Sequence, residues 1–127
     1  MNQPTFILIV EDDERLRGIE ARYLKAAGYT VLEAGSFEKA LDRISIKPSL
    51  MILDINLPDL SGWKVAQWLE QQISDVPIIV TSGLPPDAKQ LEHFKPVAFL
   101  DKPFAIERLL YLVKEHAPLA SPRREQA

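Results

Sequence analysis

Five short apolar runs, each followed by residues at helical spacing, constrain this chain more than any other feature. They occupy residues 5–10, 29–34, 50–53, 77–81 and 97–100. The first, Thr5-Phe6-Ile7-Leu8-Ile9-Val10, is almost wholly apolar and then gives way to acids, the pattern of a strand buried on both faces. The second, opening on Tyr29, Thr30 and Val31, is rich in β-formers. In the fourth, Pro77 stands at the first residue, where its missing N–H removes no ladder bond. Between the first two runs, Leu16, Ile19 or Glu20, Tyr23 and Ala27 recur at helical spacing, and Gly28 supplies a stop. Ser36 can cap a helix with Phe37, Ala40, Leu41 and Ile44 on one face, closed by Pro48. Further helices are expected over about 62–72, with Val65, Ala66, Leu69 and Ile73 inward, and over about 104–116, with Ile106, Leu109, Leu110 and Val113 inward. A short one opened by Pro86 is expected over about 87–93.

Apolar strands joined by helices imply a parallel sheet covered on both faces, with right-handed crossovers. The expected architecture is α/β: a flavodoxin-like (βα)5 doubly wound sandwich with strand order 2-1-3-4-5 and a short fourth helix. With 127 residues, 46% of them apolar and 26% charged, the chain makes one globular domain. That domain is expected over 1–117. Residues 118–127, with Pro118, Pro122 and few apolar side chains, read as a flexible tail or linker. The absence of cysteine rules out disulfides, thiolate metal sites and a cysteine nucleophile. A net charge of −3 is the wrong sign for holding nucleic acid. No apolar run approaches the roughly 20 residues that cross a bilayer, and residues 1–4 lack the pattern of a secretion signal, so a cytoplasmic location is expected.

In such a sheet the ligand site lies beyond the carboxyl ends of the strands, where the order switches between strands 1 and 3. The residues there are Glu11, Asp12, Asp13 and Glu14 after the first strand, then Asp54, Ile55 and Asn56 after the third. Thr81, Ser82 and Gly83 close the fourth, and Asp101, Lys102 and Pro103 follow the fifth. Singly these have ordinary explanations, such as acids favouring a helix N-terminus or Asp favouring a turn. Together they put several carboxylates, a hydroxyl and an ammonium at one edge. Converging acids repel one another, and a hard divalent cation relieves that. Mg²⁺ takes oxygen ligands, typically one or two carboxylates plus phosphate oxygens. A carboxylate beside it can attack a phosphoryl group, whose oxygens a metal, a lysine and a hydroxyl then neutralise and position.

Four segments carry a resemblance: Ile9-Val10-Glu11-Asp12-Asp13, the run 53–62 with its Asp-x-x-Leu-Pro-x-x-Ser-Gly core, Thr81-Ser82-Gly83, and Phe99-Leu100-Asp101-Lys102-Pro103-Phe104. Over about residues 5–116 the sequence resembles the receiver domain of two-component response regulators, chemotaxis-regulator-like. The resemblance implies Asp54 as phosphoacceptor, and Asp12 as a direct Mg²⁺ ligand with Glu11 acting through water. It implies that Asn56 gives its backbone carbonyl to the metal, that the Thr81 hydroxyl and the Lys102 ammonium hold the phosphoryl group, and that Phe99 turns inward when Thr81 moves. Asp13 falls outside the matched pair and is expected to start a helix. By the same analogy the Lys102–Pro103 peptide is expected to be cis.

The implied function is a signalling switch that accepts a phosphoryl group from a sensor histidine kinase or phosphotransfer protein. It promotes only its own phosphorylation and dephosphorylation and is not a conventional enzyme. The implied output is a downstream protein partner on the face of the fourth helix, fifth strand and last helix, with a homodimer as another use of that face. No direct role with nucleic acid or membrane is expected. Two departures stand out: the stretch from Asp54 to Thr81 is a few residues short, and Pro85, Pro86 and Pro96 crowd the region of the fourth helix. A haloacid dehalogenase-type phosphohydrolase needs a second acid two residues after its nucleophile, where this chain has Asn56. A nucleotide-binding module needs a glycine-rich phosphate loop where this chain is acidic. A receiver-like binding module without phosphorylation would not need the whole acid, Thr and Lys set. His93 and His116 read as surface residues, and Arg123-Arg124 is too short a basic run to hold nucleic acid.

Overall fold

The computed structural model describes residues 5–43, 47–57, 75–84 and 95–119. The expected helix over 62–72, the short helix over 87–93, Pro85, Pro86, His93, Ile44 and most of the tail lie outside the described residues. Strands β1 (Phe6–Val10), β2 (Thr30–Ala34), β3 (Leu50–Asp54), β4 (Ile78–Ser82) and β5 (Ala98–Asp101) form one sheet in the order β2-β1-β3-β4-β5. Every pairing is parallel. The helices are α1 (Glu14–Ala26), α2 (Phe37–Arg43) and α3 (Ile106–His116). This is the expected doubly wound architecture.

Alternation across each strand splits the core into two layers. Ile7, Ile9, Ile52 and Ile79 lie with Ala21 and Leu24 of α1 and Leu109, Leu112 and Val113 of α3. Leu8, Val10, Met51, Leu53 and Val80 lie with Ala40 of α2 on the other face. Burial on both faces explains why β1, β3 and β4 read as unbroken apolar runs. Three helical faces differ from expectation. In α2 only Ala40 is buried among the described residues, while Leu41, expected beside it, is 37% exposed at the rim of the inward face. In α1 the buried residues are Glu20, Ala21 and Leu24, while Tyr23 is 43% exposed. Of the two residues the spacing left open, Glu20 rather than Ile19 points inward. In α3, Leu112 is buried and Leu110 only half-buried, because an uninterrupted apolar stretch blurs the helical phase.

The far end of α1 shows why Gly28 stands there. Its φ is +106°, and its N–H donates to the Lys25 carbonyl (3.0 Å) while Tyr29 N–H donates to the Leu24 carbonyl (3.1 Å). This is a glycine-closed helix end. A Cβ on Gly28 would lie 2.9 Å from Cδ1 of Leu119. The Tyr29 hydroxyl donates to the Ala117 carbonyl at 2.9 Å, so the chain leaving α3 is tied beside this turn. Gly28→Ala is expected to lower stability by about 1–2 kcal/mol in urea unfolding, from the left-handed backbone and the displaced leucine. An unchanged unfolding midpoint would refute that assignment.

Candidate functional site

Parallel register aligns the carboxyl ends of the strands. Val10 pairs with Ala34 and Leu53, Asp54 with Thr81, and Ser82 with Asp101. The acids that follow β1 are thereby placed beside the end of β3. Glu11 is 2% exposed; its N–H donates to the Ala34 carbonyl (3.0 Å) and its Oε2 accepts from Asp13 N–H (3.0 Å). Asp54 is equally buried, and its Oδ1 accepts from Asn56 N–H at 2.8 Å. Asp12 is exposed, and carboxylate oxygens of Glu11, Asp12 and Asp54 lie within 4.8 Å of one another. Asp13 belongs to the helix instead: its Oδ1 accepts from the N–H groups of Arg15 (3.0 Å) and Leu16 (3.2 Å), capping α1.

Lys102 answers this negative charge. Its Nζ lies 2.6 Å from Oε1 of Glu11 and 3.1 Å from Oδ2 of Asp54. Its own N–H donates to the Ser82 carbonyl at 2.8 Å, which ties the residue to the end of β4; the Lys102–Pro103 peptide is cis. Burial acts on the two charges in opposite balance. It raises the pKa of Glu11, against the Lys102 and Asp13 hydrogen bonds and with help from the Asp54 charge. At Lys102 burial pulls the pKa down, but hydrogen bonds to Glu11 and Asp54 and their charges outweigh it, holding the ammonium above the usual lysine range.

Thr81 is buried on the strand next to Asp54, and its carbonyl accepts from Ile55 N–H at 3.1 Å. Asn56 is exposed. Its Oδ1 accepts from the Ser82 hydroxyl (2.6 Å) and from Gly83 N–H (3.0 Å). The Ser82 hydroxyl also meets the Leu84 carbonyl. Phe99 lies on β5 opposite Val80, half-buried against the core layer that holds Leu53 and Val80. A cleft of about 400 Å³ opens beside the pocket, lined by Asp13, Leu16, Ile19, Lys102, Pro103 and Phe104 among others.

Glu11, Asp12, Asp54 and Lys102 thus meet in one pocket, with Thr81 and Asn56 adjoining and Phe99 farther along the sheet. Ser82 and Arg17 were not singled out from the sequence. Ser82 had a signal, its place next to Thr81 at a strand end. Arg17 had none, because its partners are a carbonyl and a residue of β2. An all-oxygen donor set with one exposed carboxylate suits a hard divalent cation, and a buried carboxylate hydrogen-bonded to an ammonium suits attack on a phosphoryl group.

Residues 7–114 match the family model for the response regulator receiver domain. The chain belongs to this family. Receiver domains are switches of two-component signalling rather than conventional enzymes, and they work with histidine kinases or phosphotransfer proteins and with downstream partners. The chain is 36% identical over 110 residues to the response regulator MprA of Mycolicibacterium vanbaalenii, covering 84% of this chain and 48% of MprA. It therefore spans about half the length of that relative. Among solved structures, the non-phosphorylated HemR receiver domain of Leptospira biflexa is 27% identical with a TM-score of 0.80, covering 95% of this receiver and 99% of HemR's chain. TrrA of Thermotoga maritima, solved in complex with Mg²⁺-BeF, is 28% identical with a TM-score of 0.75, covering 87% of this receiver and 97% of TrrA's chain. No helix among the described residues is long and apolar enough to cross a membrane.

Proposed function

We propose that this receiver is a phosphorylation switch in which Asp54 accepts a phosphoryl group from the phosphohistidine of a sensor kinase or phosphotransfer protein. The observation that carries this reading is a carboxylate, 2% exposed, with the Lys102 ammonium 3.1 Å from its Oδ2 and two further carboxylates within 4.8 Å. An oxygen of Asp54 attacks phosphorus, the acyl phosphate O–P bond forms, the P–N bond to the donor histidine breaks, and the electron pair leaves with the imidazole nitrogen. Asp12 and Asp54, the Asn56 carbonyl and, through water, Glu11 would hold Mg²⁺. When bound, that ion neutralises charge on the transferring phosphoryl oxygens.

Lys102, already tethered beside Asp54, pairs with one phosphoryl oxygen, and the Thr81 hydroxyl donates to another. Drawing Thr81 toward the site lets Phe99 turn inward, and the surface formed by β5 and α3 changes for a downstream partner or a second copy of the chain. This is a shift between two populations, sized by how much better the phosphorylated pocket stabilises one of them. TrrA's complex with Mg²⁺-BeF supports the reading by analogy. The test is intact-mass spectrometry after acetyl phosphate and Mg²⁺. Wild type is expected to gain one phosphoryl group, and neither chelated protein nor Asp54→Ala should do so. Labelling of Asp54→Ala to the wild-type extent refutes the assignment.

A further inference from the structure

We propose that Arg17 is a positioning residue for the cation site, acting through the main chain of Glu11. The inference rests on the switch reading above and concerns how its two leading carboxylates are aimed. Arg17 Nη1 donates to the Glu11 carbonyl at 2.8 Å, while Glu11 N–H donates to the Ala34 carbonyl at 3.0 Å. Both ends of residue 11 are thereby held. The peptide between Glu11 and Asp12 is planar, so fixing its carbonyl also fixes the N–H with which Asp12 begins. With the peptides on both sides of Glu11 held, the direction in which its side chain leaves the backbone is held too, and the Cα of Asp12 is fixed in place beside it.

The guanidinium is itself clamped. Nε donates to Oε1 of Glu33 on β2 at 3.2 Å, and the Arg17 side chain is only 18% exposed. A Cβ on Gly35 would lie 3.1 Å from Nη1, so a side chain there would push the guanidinium by a few tenths of an ångström. The chemistry separates Arg17 from Lys102. Lys102 pairs with the carboxylates themselves and so competes with a cation for them. Arg17 spends its hydrogen bonds on a carbonyl and on Glu33, and it orients the ligands without occupying their oxygens. Groups that orient metal ligands from behind commonly change affinity by about 10–100-fold when removed.

Mg²⁺ titration of the full chain by calorimetry tests this, paired with the Mg²⁺ dependence of acetyl phosphate labelling. Arg17→Met is expected to weaken Mg²⁺ binding by about tenfold and to raise the half-saturating Mg²⁺ for labelling in parallel. The labelling plateau at saturating Mg²⁺ should stay within about twofold, because Asp54 and Lys102 are untouched. Arg17→Lys should recover part of the affinity, and Gly35→Ala, which crowds the guanidinium, should lose some. A folded Arg17→Met with wild-type Mg²⁺ affinity overturns the proposal. If Arg17→Met does not fold, Glu33→Gln and Gly35→Ala carry the test, and wild-type affinity in both overturns it. A wild type that binds no Mg²⁺ would refute the switch reading itself, a result distinguishable from indifference to Arg17.

Discussion

Glu20→Leu is expected to make the protein several kcal/mol more stable at pH 9, although it removes a charged residue from a helix. Glu20 is 1% exposed on the inner face of α1, and neither carboxyl oxygen has a hydrogen-bond partner among the described residues. Burial pushes its pKa up to about 8, with the charges of Glu11, Asp54 and Asp13 acting in the same direction and Lys102 opposing them. The sign follows from proton binding. A carboxyl with a raised folded-state pKa holds its proton more tightly when folded, so stability falls as pH rises from the ordinary carboxyl value of 4.5 to about 8, and is flat above. Within that window the slope is roughly 1.4 kcal/mol per pH unit. Two variants separate the contributions. Glu20→Gln abolishes the slope but keeps a buried polar group without a partner. Glu20→Leu abolishes both, adding about 1–3 kcal/mol at every pH. Urea unfolding of the three proteins in chelator from pH 5 to 9 reads this directly. A constant difference between wild type and Glu20→Gln across that range would show that Glu20 keeps an ordinary pKa.

Lys102→Met is expected to act on stability and on chemistry together. Wild-type Lys102 pairs with two carboxylates that are each 2% exposed, at 2.6 Å from Glu11 and 3.1 Å from Asp54. Removing one partner of a buried ion pair leaves uncompensated charge, commonly worth about 3–5 kcal/mol. We expect roughly 3 kcal/mol at pH 8 without metal, since partial hydration softens the loss. The deficit should shrink toward pH 5. Without the ammonium, burial raises the Glu11 pKa further, so the folded variant takes up a proton there and sheds that charge. Labelling by acetyl phosphate should slow by about 10²–10³-fold at saturating Mg²⁺, the usual effect of deleting a fixed donor where charge develops. Labelling within a few-fold of wild type would mean that Lys102 is a structural counter-ion only.

The elements that place the pocket were legible because each carries a local signal. Acids directly after the apolar run of β1, and Asp54 directly after that of β3, mark strand ends, and strict alternation of strand and helix implies the 2-1-3-4-5 order that brings them together. Lys102 followed by Pro103 was legible for the same reason, and so was Ser36 as the cap of α2, whose Oγ accepts from Lys39 N–H at 3.1 Å. The inner face of α1 was harder to read. The spacing leaves Ile19 and Glu20 both open and puts Tyr23 inward, whereas the fold buries Glu20 and leaves Tyr23 43% exposed. Contacts to main-chain carbonyls leave no trace in residue type either. The hold of Arg17 on the Glu11 carbonyl and that of Lys102 N–H on the Ser82 carbonyl needed three dimensions. So did the bond from Ser82 to Asn56, which joins residues 26 apart in the chain.

A phosphorylation switch of this kind requires the carboxyl of Asp54 to receive the phosphoryl group. Borohydride reduction of the phosphorylated protein converts an aspartyl phosphate to homoserine, and peptide mass spectrometry then reads its position. Homoserine is expected at residue 54 alone, formed only when Mg²⁺ was present during labelling. Homoserine at Asp12, Asp13 or Asp101, or phosphoryl bound to His93 or His116 with residue 54 unmodified, would contradict it.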